Sequence, residues 1–183
     1  MYISCGPDLK EKAMHRIRLD EIDLKILSAL QEDGRITNVE LSERVGITAP
    51  PCLRRMRALE EAGFIRGYHA ELDEALLGYG IVAFASVGLH SQAEGDLKAF
   101  EALVAEWPLV RECHMLSGEI DFILKIVARD LAAFQSFLTG YLTPAPNVAS
   151  VKTSLTIRCS KKVPGVPFLD AGGKPKAPAA SAG

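Results

Sequence analysis

The segment running from Thr37 to Pro51 constrains this chain more tightly than any other. Thr37-Asn38-Val39-Glu40 has the spacing of a capping box, in which a threonine oxygen accepts the third backbone N–H while the glutamate reaches back. Val39, Leu41 and Val45 are expected on the buried side of the helix that follows. Gly46 can end that helix in the left-handed conformation, Ile47 can plug the corner and Thr48 can cap the next helix. Ala49-Pro50-Pro51 is tolerable only in a first turn, where backbone N–H groups have no intrahelical partner to lose. An earlier helix is predicted upstream, capped by Asp20, with Ile22, Ile26, Leu27 and Leu30 on one face. Helix, short turn with glycine, helix is the DNA-binding supersecondary unit.

Charge must be read locally to test that idea. The net charge of −2 argues mildly against nucleic acid, yet Arg44 to Leu59 holds Arg44, Arg54, Arg55 and Arg57 and no acidic residue. An isolated surface arginine is ordinarily just a solvated side chain. Here the predicted third helix, running to about Ala62 with Gly63 as its stop, buries a stripe of Leu53, Met56 and Leu59 and turns its arginines outward. Thr48, Ala49, Pro50, Arg54 and Arg55 then lie in the half of a recognition helix that meets major-groove edges, where arginine can pair bidentately with guanine. Arg57 and Arg44 are expected on phosphates. Phe64 to His69 reads as a short extended segment, and residues 71–80 as a linker.

The second half has a different texture. Ile81 to His90 is strand-like, and Leu97, Phe100, Leu103, Val104 and Trp107 stripe a helix. Val110–Leu116 and Ile120–Ala128 are two strands joined through a tight hairpin at Ser117-Gly118-Glu119. Leu131, Phe134, Phe137, Leu138 and Tyr141 stripe another helix, and Val148–Cys159 is a last strand. The order βαββαβ is that of a ferredoxin-like antiparallel sheet with both helices on one face. Ile123 and Val127 fall on the opposite face from Phe122, Leu124 and Ile126, so the bare side needs a cover; a second copy of the chain would supply it. The predicted class is therefore α+β: an N-terminal extension 1–18, a helix-turn-helix domain 19–70, the linker, a ferredoxin-like domain 81–159 and a flexible tail 160–183.

Together, LDEIDLKILSALQEDGRITNVELSERVGITAPPCLRRMRALEEAGFIRGYHAELD and RECHMLSGEIDFILKI closely resemble the Lrp/AsnC family of regulators, over roughly Leu19 to Arg158. The resemblance implies a winged helix-turn-helix reader of double-stranded DNA and a ferredoxin-like effector domain. It also implies homodimers that assemble to tetramers or octamers, and amino acids as effectors. Gly118 and Asp121 occupy the family's G-x-x-D effector pattern. A glycine turn can offer N–H groups to a carboxylate and Asp121 can receive an ammonium, with Met115, Leu116, Ser117, Glu119 and Leu131 completing the expected pocket. The N-terminal extension and the Pro/Lys/Gly-rich tail depart from the family pattern.

Other chemistries are disfavoured. No apolar run approaches the roughly 20 residues of a membrane span, and MYISCGPDLKEKAM lacks the apolar stretch of a secretion signal, so a cytoplasmic location is expected. Met14, just before the helical pattern, is a candidate start. The four cysteines, Cys5, Cys52, Cys113 and Cys159, form no C-x-x-C pair and read as reduced thiols; no metal and no cofactor is expected. His15, His69, His90 and His114 are scattered, and Cys113, His114 and Ser117 alternate across strand faces, so no catalytic residue is assigned. The alternative of a different class is an enzyme similar to the sirohaem decarboxylases that share this two-domain order. It needs histidines or arginines around a tetrapyrrole cleft, and His114 alone is a candidate.

Overall fold

The computed structural model describes residues 18–168; the expectations for Cys5, Met14, His15 and the tail beyond Phe168 lie outside the described residues. The chain divides into two units, one of residues 1–71 and 161–183 and the other of residues 72–160.

The first unit holds three helices: α1 (Glu21–Glu32), α2 (Asn38–Val45) and α3 (Ala49–Glu61). Asp20 and Asp23 cap α1 reciprocally, each carboxylate accepting the other residue's backbone N–H. Thr37 and Glu40 do the same for α2, and Gly46 ends it at φ 79. Thr48 occupies the N-cap of α3 with extended backbone but makes no side-chain capping bond. Ile26, Leu30, Leu41, Val45, Cys52 and Leu59 form the core, joined by half-buried Ile22, Leu27, Ile47, Met56 and Ile65. Burial pushes the Cys52 thiol pKa up.

Two expectations fail here. Val39 is 58% exposed, because the inward stripe of α2 is Leu41, Ser42 and Val45. In α3 the inward side is Cys52, Met56 and Leu59: Cys52 takes the place expected for Leu53, which sits on the flank. After α3, residues 64–70 run without regular secondary structure, with Ile65 packed into the core.

The second unit is an antiparallel four-stranded sheet in the order β2-β3-β1-β4, formed by β1 (Ile81–Leu89), β2 (Val110–Met115), β3 (Phe122–Ala128) and β4 (Val148–Leu155). Helices α4 (Glu94–Ala105) and α5 (Leu131–Phe137) complete the expected βαββαβ order. Ala83, Ala85, Val87, Phe122, Leu124 and Ile126 are buried with Phe100, Val104, Phe134 and Phe137. Trp107 lies just past α4, edge-on to Phe137 at 5.4 Å and to Phe100 at 6.3 Å between ring centres.

The α5 stripe departs from a continuous helix. Leu138–Leu142 is a π-helical turn, closed by the bond from Thr143 N–H to the Leu138 carbonyl. Its wider turn rotates the stripe, so Leu142 is buried while Tyr141 stays 60% exposed. The opposite sheet face carries Phe84, Ile123, Lys125 and Val127, with Glu112 and His114 alongside. Phe84 is 40% exposed, and Lys125 Nζ meets Glu112 Oε1 at 2.9 Å.

Candidate DNA-reading helix and effector hairpin

Two polar contacts tie the first half of α3 to the helices before it. The Asn38 side-chain amide donates to the Ala49 carbonyl at 2.9 Å, pinning the start of α2 to the start of α3. Nothing in the sequence pattern singles out Asn38, since the contact spans eleven positions and depends on the turn between. The second contact is Arg55, whose Nη1 lies 2.7 Å from Asp20 Oδ2 and 2.8 Å from Asp23 Oδ1. Arg55 is thereby tied to the first turn of α1 and does not point outward as expected. Arg55 flanks the buried Cys52, Met56 and Leu59 side of α3, within reach of the two α1 carboxylates. The Asp20 carboxyl is held below its ordinary pKa, first by the Asp23 N–H and then by the Arg55 guanidinium, and that pairing raises Arg55 in turn.

Arg54 and Arg57 are exposed and have no acidic partner among the described residues. With Pro50, Leu53, Ala58 and Glu61 they line an open groove along the outer side of α3. Thr48 and Pro50 are exposed at the helix start and Ala49 is half-buried. Arg44 is engaged with Glu32 in an ion pair between α2 and the end of α1. The described residues thus divide the four arginines into two that brace helices and two that remain outward on one helix face.

At the hairpin, Met115 pairs with Phe122, and the Leu116 N–H donates to the Asp121 carbonyl at 2.8 Å, leaving 117–120 as the loop. Met115, Leu116, Ser117, Gly118 and Glu119 are all exposed, and a Cβ at Gly118 would meet open space. Asp121 is not a free surface carboxylate. Its Oδ2 accepts the Leu89 N–H at 2.6 Å and the Gln92 side-chain amide at 3.4 Å, binding the start of β3 to the end of β1. Gln92 therefore joins this end of the sheet, without any signal in the sequence that marks it.

Leu131 does not belong with the hairpin. It follows the other end of β3, a seven-residue strand that spans roughly 20 Å at about 3.3 Å per residue. His114 is exposed on the open face beside Glu112, 3.4 Å away, with no second histidine in the strand. Among the described residues no group of three or more His, Cys, Asp or Glu side chains could hold a metal ion. No described helix is long and apolar enough to cross a membrane.

A helical reader with outward arginines, joined to a ferredoxin-like unit, defines a class of DNA-binding regulators with a separate ligand-binding domain. The comparisons agree: residues 19–66 match the winged helix-turn-helix DNA-binding family and residues 82–166 match the Lrp/AsnC ligand binding domain. The chain belongs to the Lrp/AsnC family of transcriptional regulators. It is 62% identical over 143 residues to the leucine-responsive regulatory protein of Rhizobium meliloti, covering 78% of this chain and 92% of that one. It is 44% identical to the Bkd operon transcriptional regulator of Pseudomonas aeruginosa, covering 76% and 92%. Among solved structures, a transcriptional regulator of Neisseria meningitidis in complex with L-Met aligns with a TM-score of 0.78 at 39% identity, covering 82% of this chain and 97% of that one. These matches favour the regulator over the decarboxylase reading.

Proposed function

We propose that this regulator reads its operator with the outer side of α3 and answers to a free amino acid held at the β2–β3 hairpin. The carrying observation is that Arg54 and Arg57, exposed along one groove, have no acidic partner among the described residues, whereas Arg44 and Arg55 are engaged within the helical unit. Arg54 reaches base edges and Arg57 a phosphate, and the helix start, with Thr48 and Pro50 exposed and Ala49 half-buried, enters the major groove. Arg55 acts as a positioning residue for α3.

The leucine-responsive name of the Rhizobium relative and the L-Met complex of the Neisseria regulator support an amino-acid effector. The exposed Gly118 turn offers backbone N–H groups for a carboxylate, and Asp121 offers negative charge for an ammonium. The half-buried open face of the sheet supports a homodimer, further assembled to a tetramer or octamer, working in the cytoplasm. The test is operator binding by the purified protein with leucine, methionine and other amino acids titrated in turn. A ligand-dependent change in operator affinity is expected, of the size set by about 1–3 kcal/mol of coupling. Binding insensitive to every amino acid would remove the effector part of the reading.

A further inference from the structure

The sequence marks everything beyond Ser160 as a free tail, and the structure differs for its first part. The chain leaves the helical unit after Glu71 and returns to it at Lys161, so the two units are joined by two covalent crossings. The returning segment, Lys161 to Phe168, is fastened to the helical unit at two points. At one, Lys162 Nζ meets Glu71 Oε1 at 2.9 Å. At the other, the Gln31 side chain near the end of α1 takes both backbone groups of Val166: its amide donates to the Val166 carbonyl at 2.8 Å, and its oxygen accepts the Val166 N–H at 2.9 Å.

That second contact imitates a pair of strand-to-strand hydrogen bonds, with a glutamine amide standing in for a peptide group. It also depends on the neighbouring residue. Gly165 is at φ 77, and a Cβ there would collide with the Gln31 side chain. Pro164 and Pro167 flank it and limit the backbone freedom that docking has to remove. Phe168, the last described residue, is half-buried.

We propose that α1, at Gln31, is a docking surface for a Pro-Gly-Val-Pro peptide bent at its glycine, and that its occupant is this chain's own segment 163–167. Docking makes the tail a second tether on the DNA-reading unit, parallel to the linker. The Lys162 and Gln31 contacts are exposed, so each is weak on its own. Attachment to the same chain supplies the high effective concentration that keeps the surface occupied. The tether therefore opens and closes readily, and a change at the end of β4 reaches the reader without passing through the linker. The docking does not rest on the DNA or effector reading, since both contacts lie within the helical unit.

The test is amide hydrogen exchange by mass spectrometry on the full chain, with fragmentation that resolves Val166. Three variants are compared with wild type: Gln31→Ala, which removes the clasp; Gly165→Val, which blocks it; and Gln31→Glu, which keeps an acceptor for the Val166 N–H but loses the donor. Val166 is expected to exchange about tenfold faster in the first two variants, with an intermediate rate in the third. Residues 40–60 should keep wild-type exchange in all of them, showing that the helical core is intact. Equal Val166 exchange in wild type, Gln31→Ala and Gly165→Val would overturn the proposal, whatever the operator affinity of those proteins.

Discussion

Arg55 and Asp23 meet 2.8 Å apart, so α3 is anchored by one of its own arginines to the capping box of α1. The Arg55 side chain is one-third exposed and that of Asp23 about one-tenth, which places the pair at the margin of the core. Arg55→Ala should lower the stability of the helical unit by roughly 1–2 kcal/mol, because a largely buried carboxylate loses its charged partner. Operator affinity should fall for all sequences alike, since the helix is displaced as a whole. Thermal unfolding followed by circular dichroism, together with binding to operator and random DNA, checks both. Unchanged stability with a lost base preference would return Arg55 to the reading surface.

Arg54→Ala should weaken operator binding by about 1–3 kcal/mol and relax the preference at a single base position. Arg57→Ala should instead weaken every sequence about equally and reduce the salt dependence by roughly one phosphate contact. Titrations at several salt concentrations on operator and scrambled DNA separate the two patterns. Wild-type operator affinity in Arg54→Ala would refute its assignment to a base.

Acid should loosen the helical unit through its caps. The Asp20 carboxyl sits below its ordinary value of 3.8, and the Glu40 carboxyl below 4.5, the latter held first by the Thr37 hydroxyl and then by the Thr37 N–H. A depressed carboxyl pKa adds stability that is complete above the unfolded value and is lost as pH falls through the folded one. Stability should therefore hold through neutral pH and decline below about pH 4. In Arg55→Ala the part of that decline due to Asp20 should be smaller and should end at higher pH, because Asp20 loses one of the groups that depress it and its folded value moves towards the unfolded one. Acid titrations of both proteins by circular dichroism make the comparison, and coincident curves would count against the Arg55 contribution.

At Asp121 the structural role and the proposed ligand role can be separated. Asp121→Asn keeps an oxygen to accept the Leu89 N–H but carries no charge for an ammonium, so it should fold like wild type and lose the effector response. Asp121→Ala loses both, and should cost about 1 kcal/mol of stability as well. Calorimetric titration with the effector and thermal unfolding of the two variants distinguish the contributions. An Asp121→Asn protein with wild-type effector affinity would move the pocket elsewhere.

Phe84 stands on the open face of the sheet. Phe84→Asp should break self-association there, since an apolar ring whose burial is worth about 1.5–3 kcal/mol is replaced by a charge. A two-fold interface counts the change twice. Sedimentation at micromolar concentration should show smaller species than wild type with an unchanged fold by circular dichroism. An unaltered assembly would place the interface off this face.

The parts of the molecule legible in the sequence are those set by neighbouring residues. Thr37 with Glu40 and Gly46 with its left-handed backbone are local chemistry, and the alternation of Phe122, Leu124 and Ile126 follows from the pleat of one strand. What escaped depends on register or distance. Arg55 is held by Asp20 and Asp23, which lie 35 and 32 positions away, and the π-helical turn exchanged Tyr141 for Leu142. Leu131, expected with the hairpin residues, lies beyond the far end of β3, with an entire strand between it and Asp121. Gln31 and Val166 are 135 positions apart, and no periodicity links a helix to a proline-flanked segment at that range.

Trp107 is the single tryptophan of the chain, and it lies in the core of the second unit between Phe100 and Phe137. Its emission is therefore a built-in optical gauge of the ligand-binding unit alone, silent about the helices that carry Arg54. Melting curves recorded by fluorescence and by far-ultraviolet circular dichroism sample different portions of the same polypeptide. A gap between the two would measure how independently sensing and reading come apart, with no label attached.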